Sequence, residues 1–298
     1  MAKRGKKIIL ILIIISSVLI IGGIALYFLL KEKNNKQNYS KVNHKKKVII
    51  CFFGVVSRSI KHTYKNLKQN IIDVIKKDYD CDIYVFNNYI DKGKVDNVSQ
   101  NNNDVNLLKP DFFEQKKQSV IDREIKEHIK SKNIRVKFRG DYSVKTIDNA
   151  IRQMYSEEKV GNFLDKHKKY YDCAVICGPD YYLLNKINLK HIANSINNDS
   201  IVYTTNINDA QGYTNGLYIG SLYPLITILK RYSILKNLLP TDKDYEYLLK
   251  KVFDDNKINR LVTDTKFVKI RSNKHIARQG QMKENQYTDI INKISKNL

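Results

Sequence analysis

The residues of this chain that could do chemistry lie in two short loops, each of which follows an apolar, β-prone run. In the first loop, Gly178 and Pro179 turn the chain directly after "YDCAVIC", and Asp180 is presented beyond that turn. A carboxylate in this position can hold Mg²⁺ or Mn²⁺, and such an ion can bridge a diphosphate. A turn aspartate that only caps the next segment is the alternative, and the sequence leaves both readings open.

The second loop, residues 206–215, is polar but carries no lysine or arginine. Its surroundings from 191 to 229 also lack both residue types, in a chain with 53 Lys and Arg against 30 Asp and Glu. A cation beside a carboxylate would pair with it and lower its pKa. The cation-free window therefore predicts that Asp209, beside Asn208, is available as a metal-binding or basic group. Exclusion of lysine from a buried sheet explains the apolar run 217–229 but not the polar loop.

The elements that must position these loops alternate between strands and helices. Apolar runs at 47–56, 81–88 and 171–180 predict buried strands, and "SIVYTTN" predicts another. Apolar residues at helical spacing between these runs predict helices. We therefore expect an α/β domain with a mostly parallel sheet flanked by helices. Ligands bind such sheets beyond the carboxyl ends of the strands, where both loops are expected. The Asn-, Asp- and Lys-rich residues 91–115 predict a mobile loop.

The N-terminal segment has the pattern of a membrane anchor. Residues 8–30 carry no charge and are long enough to span a bilayer as a helix at about 1.5 Å per residue. The sequence after them is basic and polar, so we favour a retained anchor over a cleaved signal peptide. Residues 1–7 form a basic tail, 31–46 a stem, and 47–298 the α/β domain. The short basic N-terminus favours a cytoplasmic N-terminus and a lumenal or exterior domain.

The net charge of +23 suggests an anionic partner. The lysines are spread along the chain rather than gathered on one stripe, so we expect no dedicated nucleic-acid site. The sequence lacks a G-x-G-x-x-G turn and a G-x-x-x-x-G-K-[ST] loop, which argues against a dinucleotide enzyme or a P-loop NTPase. It also lacks H-E-x-x-H and G-x-S-x-G, the signatures of zinc proteases and α/β-hydrolases.

Several segments resemble, in order and spacing, a family of glycosyltransferase-like proteins from large DNA viruses and algae. They are residues 48–58 with the following helix, "YDCAVICGPDYYLLNKI", "NDAQGYTNGLYIGS", and "DYEYLLKKVF" with "KFVKIRSN". The resemblance covers roughly residues 47–275. It implies a GT-A fold, a nucleotide-diphospho-sugar transferase domain that often depends on a metal. It further implies a sugar nucleotide lying across the carboxyl edge of the sheet.

On the donor side, the resemblance implies that Arg58 lies near the nucleotide and Arg271 near the diphosphate. Asp180 would lie where GT-A enzymes carry their Asp-x-Asp metal motif. Here that position has one carboxylate instead of two, so Mn²⁺ or Mg²⁺ as a cofactor stays an open prediction. Arg152, on a long predicted helix, is a further candidate for the diphosphate, with a surface arginine as the alternative.

On the acceptor side, the resemblance implies that Asn208, Asp209 and Gly216 match an "Asn-Asp…Gly" segment. We add Asn215, which directly precedes Gly216, as a substrate-binding candidate. Glu246 matches an acidic helix residue that acts as the base or orients the acceptor. Asp209 and Glu246 are therefore the two candidates for the catalytic base.

These observations predict a membrane-anchored glycosyltransferase that moves a sugar from a nucleotide sugar to a glycan or protein acceptor. Its partners would be that donor, that acceptor, and the lipid bilayer through residues 8–30. The alternative is a non-catalytic, membrane-tethered protein on the same fold that binds a glycan or a partner. The lone carboxylate at Asp180 favours this alternative.

Overall fold

The structure is a computed structural model that describes residues 45–90, 94–140, 142–207, 209–277 and 283–295. The predicted membrane anchor at 8–30, nearly all of the predicted stem, and Asn208 lie outside the described residues. Among the helices of the described ranges, none is both long enough and apolar enough to cross a membrane.

The described part of the chain contains twelve strands. They are β1 Lys47–Gly54, β2 Asp80–Tyr89, β3 Lys94–Val95, β4 Val98–Ser99, β5 Phe112–Lys117, β6 Cys173–Cys177, β7 Tyr181–Leu183, β8 Ile201–Thr204, β9 Leu217–Gly220, β10 Asn259–Val262, β11 Phe267–Ile270 and β12 Ile276–Ala277.

The α-helices of the same ranges alternate with these strands. They are α1 Ile60–Leu67, α2 Asp73–Asp78, α3 Gln118–Ser131, α4 Val144–His167, α5 Leu189–Asn197, α6 Leu222–Leu229, α7 Leu235–Leu238, α8 Tyr245–Asp255 and α9 Glu284–Ser295. A π-helical turn, Lys68–Ile72, joins α1 to α2, and 3-10 turns lie at Val56–Arg58, Asn102–Leu108 and Lys230–Tyr232.

The main sheet has the strand order β10-β8-β9-β6-β1-β2-β5. Its neighbours pair in parallel except β9, which is antiparallel to β6 and to β8. The prediction of a mostly parallel α/β sheet flanked by helices is thus confirmed. The parallel strands end at a common edge, and β9 begins at that edge because it runs in the opposite direction.

The sheet is buried on both faces because successive side chains of a strand point to opposite sides. On β1, Ile49 and Cys51 belong to a core that also contains residues of α3, α4, α6, α7 and α8. Val48, Ile50 and Phe52 belong to the core on the other face, with residues of α1, α2 and α5. This arrangement explains why β1 reads as a continuous apolar run rather than as an alternating one.

A second, three-stranded antiparallel sheet lies at the carboxyl edge, in the order β12-β11-β7. Strand β7 begins directly after Asp180, and β11 ends directly before Arg271. In their pairing Tyr181 lies opposite Lys269, and the N–H of Ile270 donates to the carbonyl of Asp180 at 2.8 Å. This small sheet therefore brings together two side chains that are far apart in the sequence.

The prediction of a mobile loop at 91–115 is wrong for the described residues 94–115, which are folded. Strands β3 and β4 form a hairpin whose two turn residues, Asp96 and Asn97, have φ of 50° and 63°. Asp and Asn tolerate this left-handed conformation, which a tight hairpin turn requires. The 3-10 turn Asn102–Leu108 and the start of edge strand β5 complete the segment. Polar composition here marks turns rather than disorder.

Candidate functional site

Asp180 is held at the carboxyl edge of the sheet by a fixed turn. The N–H of Gly178 donates to the carbonyl of Gly216 at 2.8 Å, and the hydroxyl of Thr63 on α1 donates to the carbonyl of Pro179 at 2.6 Å. A Cβ on Gly178 would lie 2.8 Å from the ring of Tyr181, so the turn requires glycine at that position. Helix α1 and Gly216, the residue before strand β9, thus fix the turn from both sides, as expected for a site on a rigid scaffold.

The second sheet places Arg271 beside Asp180. The Nη1 atom of Arg271 lies 3.5 Å from Oδ2 of Asp180, and both side chains are partly exposed, at 32% and 17%. A tight guanidinium–carboxylate pair would be about 2.7–2.9 Å long. The pair is therefore loose, and both groups are accessible to a ligand at the sheet edge.

Arg58, in the 3-10 turn after β1, makes a second pair with a carboxylate. Its Nε and Nη2 atoms lie 3.0 and 3.2 Å from the two carboxylate oxygens of Asp96 in the β3–β4 turn. Burial would raise the pKa of Asp96, but the hydrogen bonds and charge of Arg58 and the hydrogen bonds of Ser272 lower it on balance. Asp96 therefore stays ionised and keeps Arg58 in one position.

The two arginine pairs are joined through Ser272. Its N–H and hydroxyl lie 3.3 and 3.0 Å from Oδ2 of Asp96, and Ser272 directly follows Arg271. The Nε2 atom of His62 on α1 lies 3.2 Å from the carbonyl of Ser272. Arg58, Asp96, Asp180, Arg271 and Ser272 therefore form one connected group, which we call the arginine cluster. The pattern of strands predicted Arg58 and Asp180 for this edge, and the resemblance implied Arg271 there; the structure links the three through Asp96 and Ser272.

Asp209 is not the unpaired carboxylate that the cation-free window predicted. Arg260 on β10 reaches it, with Nη2 2.7 Å from Oδ2, and both side chains are largely buried. The N–H and hydroxyl of Thr214 donate to Oδ1 of Asp209, each at 2.9 Å. The premise of the prediction is therefore wrong, because the cation comes from a strand 51 residues away rather than from the loop itself.

The loop that contains Asp209 packs closely against α8. A Cβ on Gly212 would lie 2.0 Å from the carbonyl oxygen of Glu246, and the N–H of Tyr213 donates to that carbonyl at 3.0 Å. The ring of Tyr213 also stacks on the guanidinium of Arg260, 4.1 Å away. Close packing thus explains why residue 212 is a glycine and why the loop contains no bulky lysine. It also places the loop beside the backbone of Glu246.

Asn215 points into the core rather than toward a ligand. Its Oδ1 accepts a hydrogen bond from Nη2 of Arg231 at 2.8 Å, and its carbonyl accepts one from the hydroxyl of Tyr181 at 2.6 Å. Asn215 is 8% exposed. The predicted contact between this side chain and a substrate is corrected accordingly: Asn215 connects the loop to the buried polar groups beneath it.

Those buried groups centre on an ion pair between Arg231 and Glu157, whose side chains are fully buried. Arg231 also contacts the hydroxyl of Tyr245 at 3.2 Å, and Glu157 accepts a hydrogen bond from Gln153 at 2.9 Å. A buried ion pair persists only when further hydrogen bonds satisfy both charges. The basic segment Lys230–Tyr232 looks like a surface segment in the sequence, and no signal there identifies the buried arginine.

Glu246, in the first turn of α8, has the properties of a proton acceptor. Burial raises the pKa of its carboxyl group, and the charges of Asp244 and Asp209 add to this effect, while a hydrogen bond from its own backbone N–H and the charge of Lys269 oppose it. Among the described residues, no other side chain donates a hydrogen bond to it. The carbonyl of Glu246 accepts a hydrogen bond from Tyr213 in the loop after β8, and Gly216 at the end of the same loop accepts one from Gly178. Glu246 and the Asp180 turn therefore contact the same loop.

Arg152 does not extend freely toward the sheet edge. Its Nε and Nη2 atoms lie 2.7 and 3.0 Å from the two carboxylate oxygens of Asp122 on α3. One turn later on α4, Ser156 contacts Asn88 of β2 at 2.9 Å, so this part of α4 lies near the carboxyl edge. A bidentate pair with Asp122 satisfies the guanidinium. The structure therefore assigns Arg152 a contact between helices and does not bring it into the arginine cluster.

The corner around Asp180 disfavours a divalent metal ion, because its one carboxylate lies beside the guanidinium of Arg271. Within the described ranges, no group of three or more His, Cys, Asp or Glu side chains is placed to hold one. Asp96, the other carboxylate of the arginine cluster, is bound by Arg58 and Ser272. Mg²⁺ and Mn²⁺ favour oxygen ligands and negative charge, whereas this corner supplies one loose carboxylate beside an arginine.

Replacing Gly216 by alanine tests the packing of the turn. Gly216 has φ of 97°, and a Cβ there would lie 2.5 Å from the hydroxyl of Tyr181. We expect the substitution to lower the free energy of unfolding by about 1–3 kcal/mol through strain and overpacking. Urea unfolding measures this, with Gly140→Ala as the control, because a Cβ on Gly140 meets no atom within 4 Å. Equal stability of the two variants would contradict the packing described here.

No protein-family model matches the sequence, and no curated protein matches it. Among solved structures, the chain is similar to mouse xyloside xylosyltransferase 1 in its apo form. The TM-score is 0.41, with 7% sequence identity, over 73% of this chain and 84% of that chain. A likeness at this level carries no argument about activity, and the function is inferred from the arginine cluster and Glu246 themselves.

Proposed function

We propose that this chain is a membrane-anchored glycosyltransferase that moves a sugar from a nucleotide-sugar donor to a glycan or protein acceptor. One observation carries the proposal: beyond the carboxyl ends of β1 and β6, Ser272 links the Arg58–Asp96 pair to the Arg271–Asp180 pair. The loop that ends at Gly216 contacts both this corner and Glu246. A diphosphate needs cations with forked donors, and an acceptor hydroxyl needs a carboxylate base. The edge of a mostly parallel sheet is where such a ligand binds.

In the proposed mechanism, Arg58 and Arg271 stabilise the negative charge that develops on the leaving nucleoside diphosphate. Asp180 accepts a hydrogen bond from a hydroxyl of the donor ribose. The scaffold already holds Arg58 and the turn that carries Asp180 in position, so the reorganisation is confined to the side chain of Arg271. No step is assigned to a metal ion, because the guanidinium of Arg271 beside Asp180 disfavours one.

Glu246 is the proposed general base. It accepts the proton of the acceptor hydroxyl while that oxygen forms a bond to the anomeric carbon of the sugar. The bond from the same carbon to the diphosphate oxygen breaks, and the nucleoside diphosphate leaves, as in an inverting displacement. Glu246 is preferred to Asp209 because Arg260 and Thr214 occupy the carboxylate of Asp209.

Residues 8–30 would anchor the protein in the lipid bilayer, with the N-terminus cytoplasmic and the domain on the lumenal or exterior side. The support for this part of the proposal is the uncharged apolar run and the short basic tail before it.

Replacing Asp180 by asparagine tests the donor side of the proposal. We expect donor turnover to fall by roughly 10- to 100-fold, since a hydrogen bond to a charged group is lost. The assay follows release of free nucleotide from the sugar nucleotide that the wild-type chain uses. Asp254→Asn, which removes an exposed carboxylate on α8, is the matched control. Full turnover in Asp180→Asn would contradict the role of Asp180.

A second candidate function is binding without catalysis, on the same fold. The Arg260–Asp209 pair favours it, because one of the two predicted catalytic carboxylates is used structurally. This function predicts that a glycan or nucleotide sugar binds but that no nucleotide is released. The same release assay, combined with a binding measurement, separates the two functions.

A further inference from the structure

We infer that the arginine cluster binds the diphosphate of a nucleotide without a divalent cation, with Arg271 as the group that moves onto the phosphates. The inference rests on the proposed function, since it concerns the same donor. It differs from the sequence prediction, in which Asp180 was a metal ligand.

The charges of the cluster favour an anionic ligand. Two guanidinium groups, Arg58 and Arg271, lie in one connected group with two carboxylates, Asp96 and Asp180. Lys269 adds a further cation, with its Nζ 5.2 Å from the centre of the Tyr181 ring. A divalent ion bound to Asp180 would lie close to the guanidinium of Arg271, and repulsion between the two would weaken it. The site attracts anions more than it attracts metal ions.

Further charged side chains lie on the neighbouring elements, around His62, which contacts Ser272. Burial is the main cause that lowers the pKa of His62; the charges of Lys61 and Lys274 add to it, while the contact with Ser272 and the charge of Asp104 oppose it. Two cations and one carboxylate therefore act on this side of the cluster. The balance is positive, which favours an anionic ligand such as a diphosphate.

The two arginine pairs differ in how tightly each guanidinium is held. Arg58 is bound to Asp96 through two contacts of 3.0 and 3.2 Å, whereas Arg271 has a single contact of 3.5 Å with Asp180. Arg58 therefore loses more on leaving its carboxylate than Arg271 does. When a diphosphate binds, Arg271 can turn its fork to two phosphate oxygens while Arg58 stays in place and contributes charge.

Once the phosphates are bound, Asp96 and Asp180 have different roles. Asp96 remains neutralised by Arg58 and Ser272, so it does not repel the ligand. Asp180 becomes free to accept a hydrogen bond from a ribose hydroxyl, next to the phosphates. When the side chain of Arg271 turns away from Asp180, the pair between them is replaced by two contacts with the nucleotide. Arg271 then contacts the phosphates, and Asp180 contacts the ribose.

The test is calorimetric titration of the full chain with UDP, GDP and ADP as separate probes, first in EDTA and then with Mn²⁺. We expect at least one nucleotide to bind in EDTA, and Mn²⁺ to change its Kd by less than about threefold. Arg271→Ala should weaken binding roughly 10- to 100-fold, and Arg271→Lys should restore only part of it. Arg123→Ala, which removes an exposed arginine of α3, should leave Kd unchanged.

The thermal midpoint of Arg271→Ala should match that of the wild type, since the loose, partly exposed pair contributes little to stability. Binding only in the presence of Mn²⁺, an unchanged Kd in Arg271→Ala, or no binding of any probe would overturn the inference. Sugar transfer that requires Mn²⁺ would overturn it while supporting the proposed function. Conversely, metal-free nucleotide binding without transfer would support the inference and contradict the proposed function.

Discussion

Replacing Glu246 by glutamine is expected to lower kcat for sugar transfer by roughly 10²- to 10⁴-fold, the usual contribution of a general base. Glutamine has nearly the same shape but cannot accept the proton of the acceptor hydroxyl. Burial, with Asp244 and Asp209 nearby, holds the pKa of Glu246 above its ordinary value, closer to the range in which a base works well. The measurement is steady-state transfer with a saturating donor and acceptor.

The pH dependence gives the same variant a second signature. In the wild type, kcat should fall as pH falls through the raised pKa of Glu246, because only the ionised form accepts a proton. Glu246→Gln should lack this acidic limb. Glu127→Gln, a change at an exposed helix position on α3, should keep both the rate and the limb. A Glu246→Gln variant that retains half of the wild-type rate would contradict the assignment.

Stability should move in the opposite direction from activity in Glu246→Gln. Between the unfolded pKa and the raised folded pKa, the folded state binds more protons than the unfolded state. The contribution of Glu246 to the free energy of unfolding therefore decreases as pH rises through this window. A neutral glutamine avoids that cost, so the variant should be at least as stable as the wild type at neutral pH. Such an inverse relation is typical of catalytic rather than structural residues.

Replacing Arg231 by methionine is expected to lower the free energy of unfolding by about 3–5 kcal/mol, the cost of leaving a buried charge without its partner. Glu157 would remain in the core, where its side chain is fully buried beside Arg231. Asn215 and Tyr245 would also lose a hydrogen bond. Urea unfolding of the full chain measures the change, and far-UV circular dichroism follows it because the chain contains no tryptophan.

The double variant Arg231→Met/Glu157→Leu separates the charge from the packing. Since both charges are then absent, we expect it to recover most of the stability lost in Arg231→Met alone. Lys250→Met is the matched control, because Lys250 and Asp254 form an exposed pair whose loss costs less than about 1 kcal/mol. If Arg231→Met unfolded at the same urea concentration as Lys250→Met, the buried pair would not have the role described.

The sequence predicted the class of fold and the sheet edge that carries the candidate site, because both predictions depend on local patterns. Continuous apolar runs identify strands that are buried on two faces, and β1 and β6 are such strands. The turn Gly178-Pro179 directly after β6 identifies the carboxyl edge. The resemblance then proposed Arg58 and Arg271 for the same edge, where the structure places them within one connected group.

The remaining features depend on contacts between distant parts of the chain. Asp96 lies 176 residues before Ser272. It belongs to the polar residues 91–115, whose composition predicted a mobile loop, so no local pattern identifies it as a site residue. Arg260 reaches Asp209 only because β10 pairs with β8, next to the loop. A window without cations in the sequence therefore says little about cations in space. Arg231 lies in a basic segment and is buried only because α4 supplies Glu157.

The most direct test of the account is a release assay of the full chain, purified in detergent, against a panel of nucleotide sugars with a mixture of glycan acceptors. The account predicts release of free nucleotide from one donor, in EDTA as well as with Mn²⁺, and loss of that release in Glu246→Gln. No release from any donor, together with no shift of the thermal midpoint by any donor, would contradict the assignment of a glycosyltransferase.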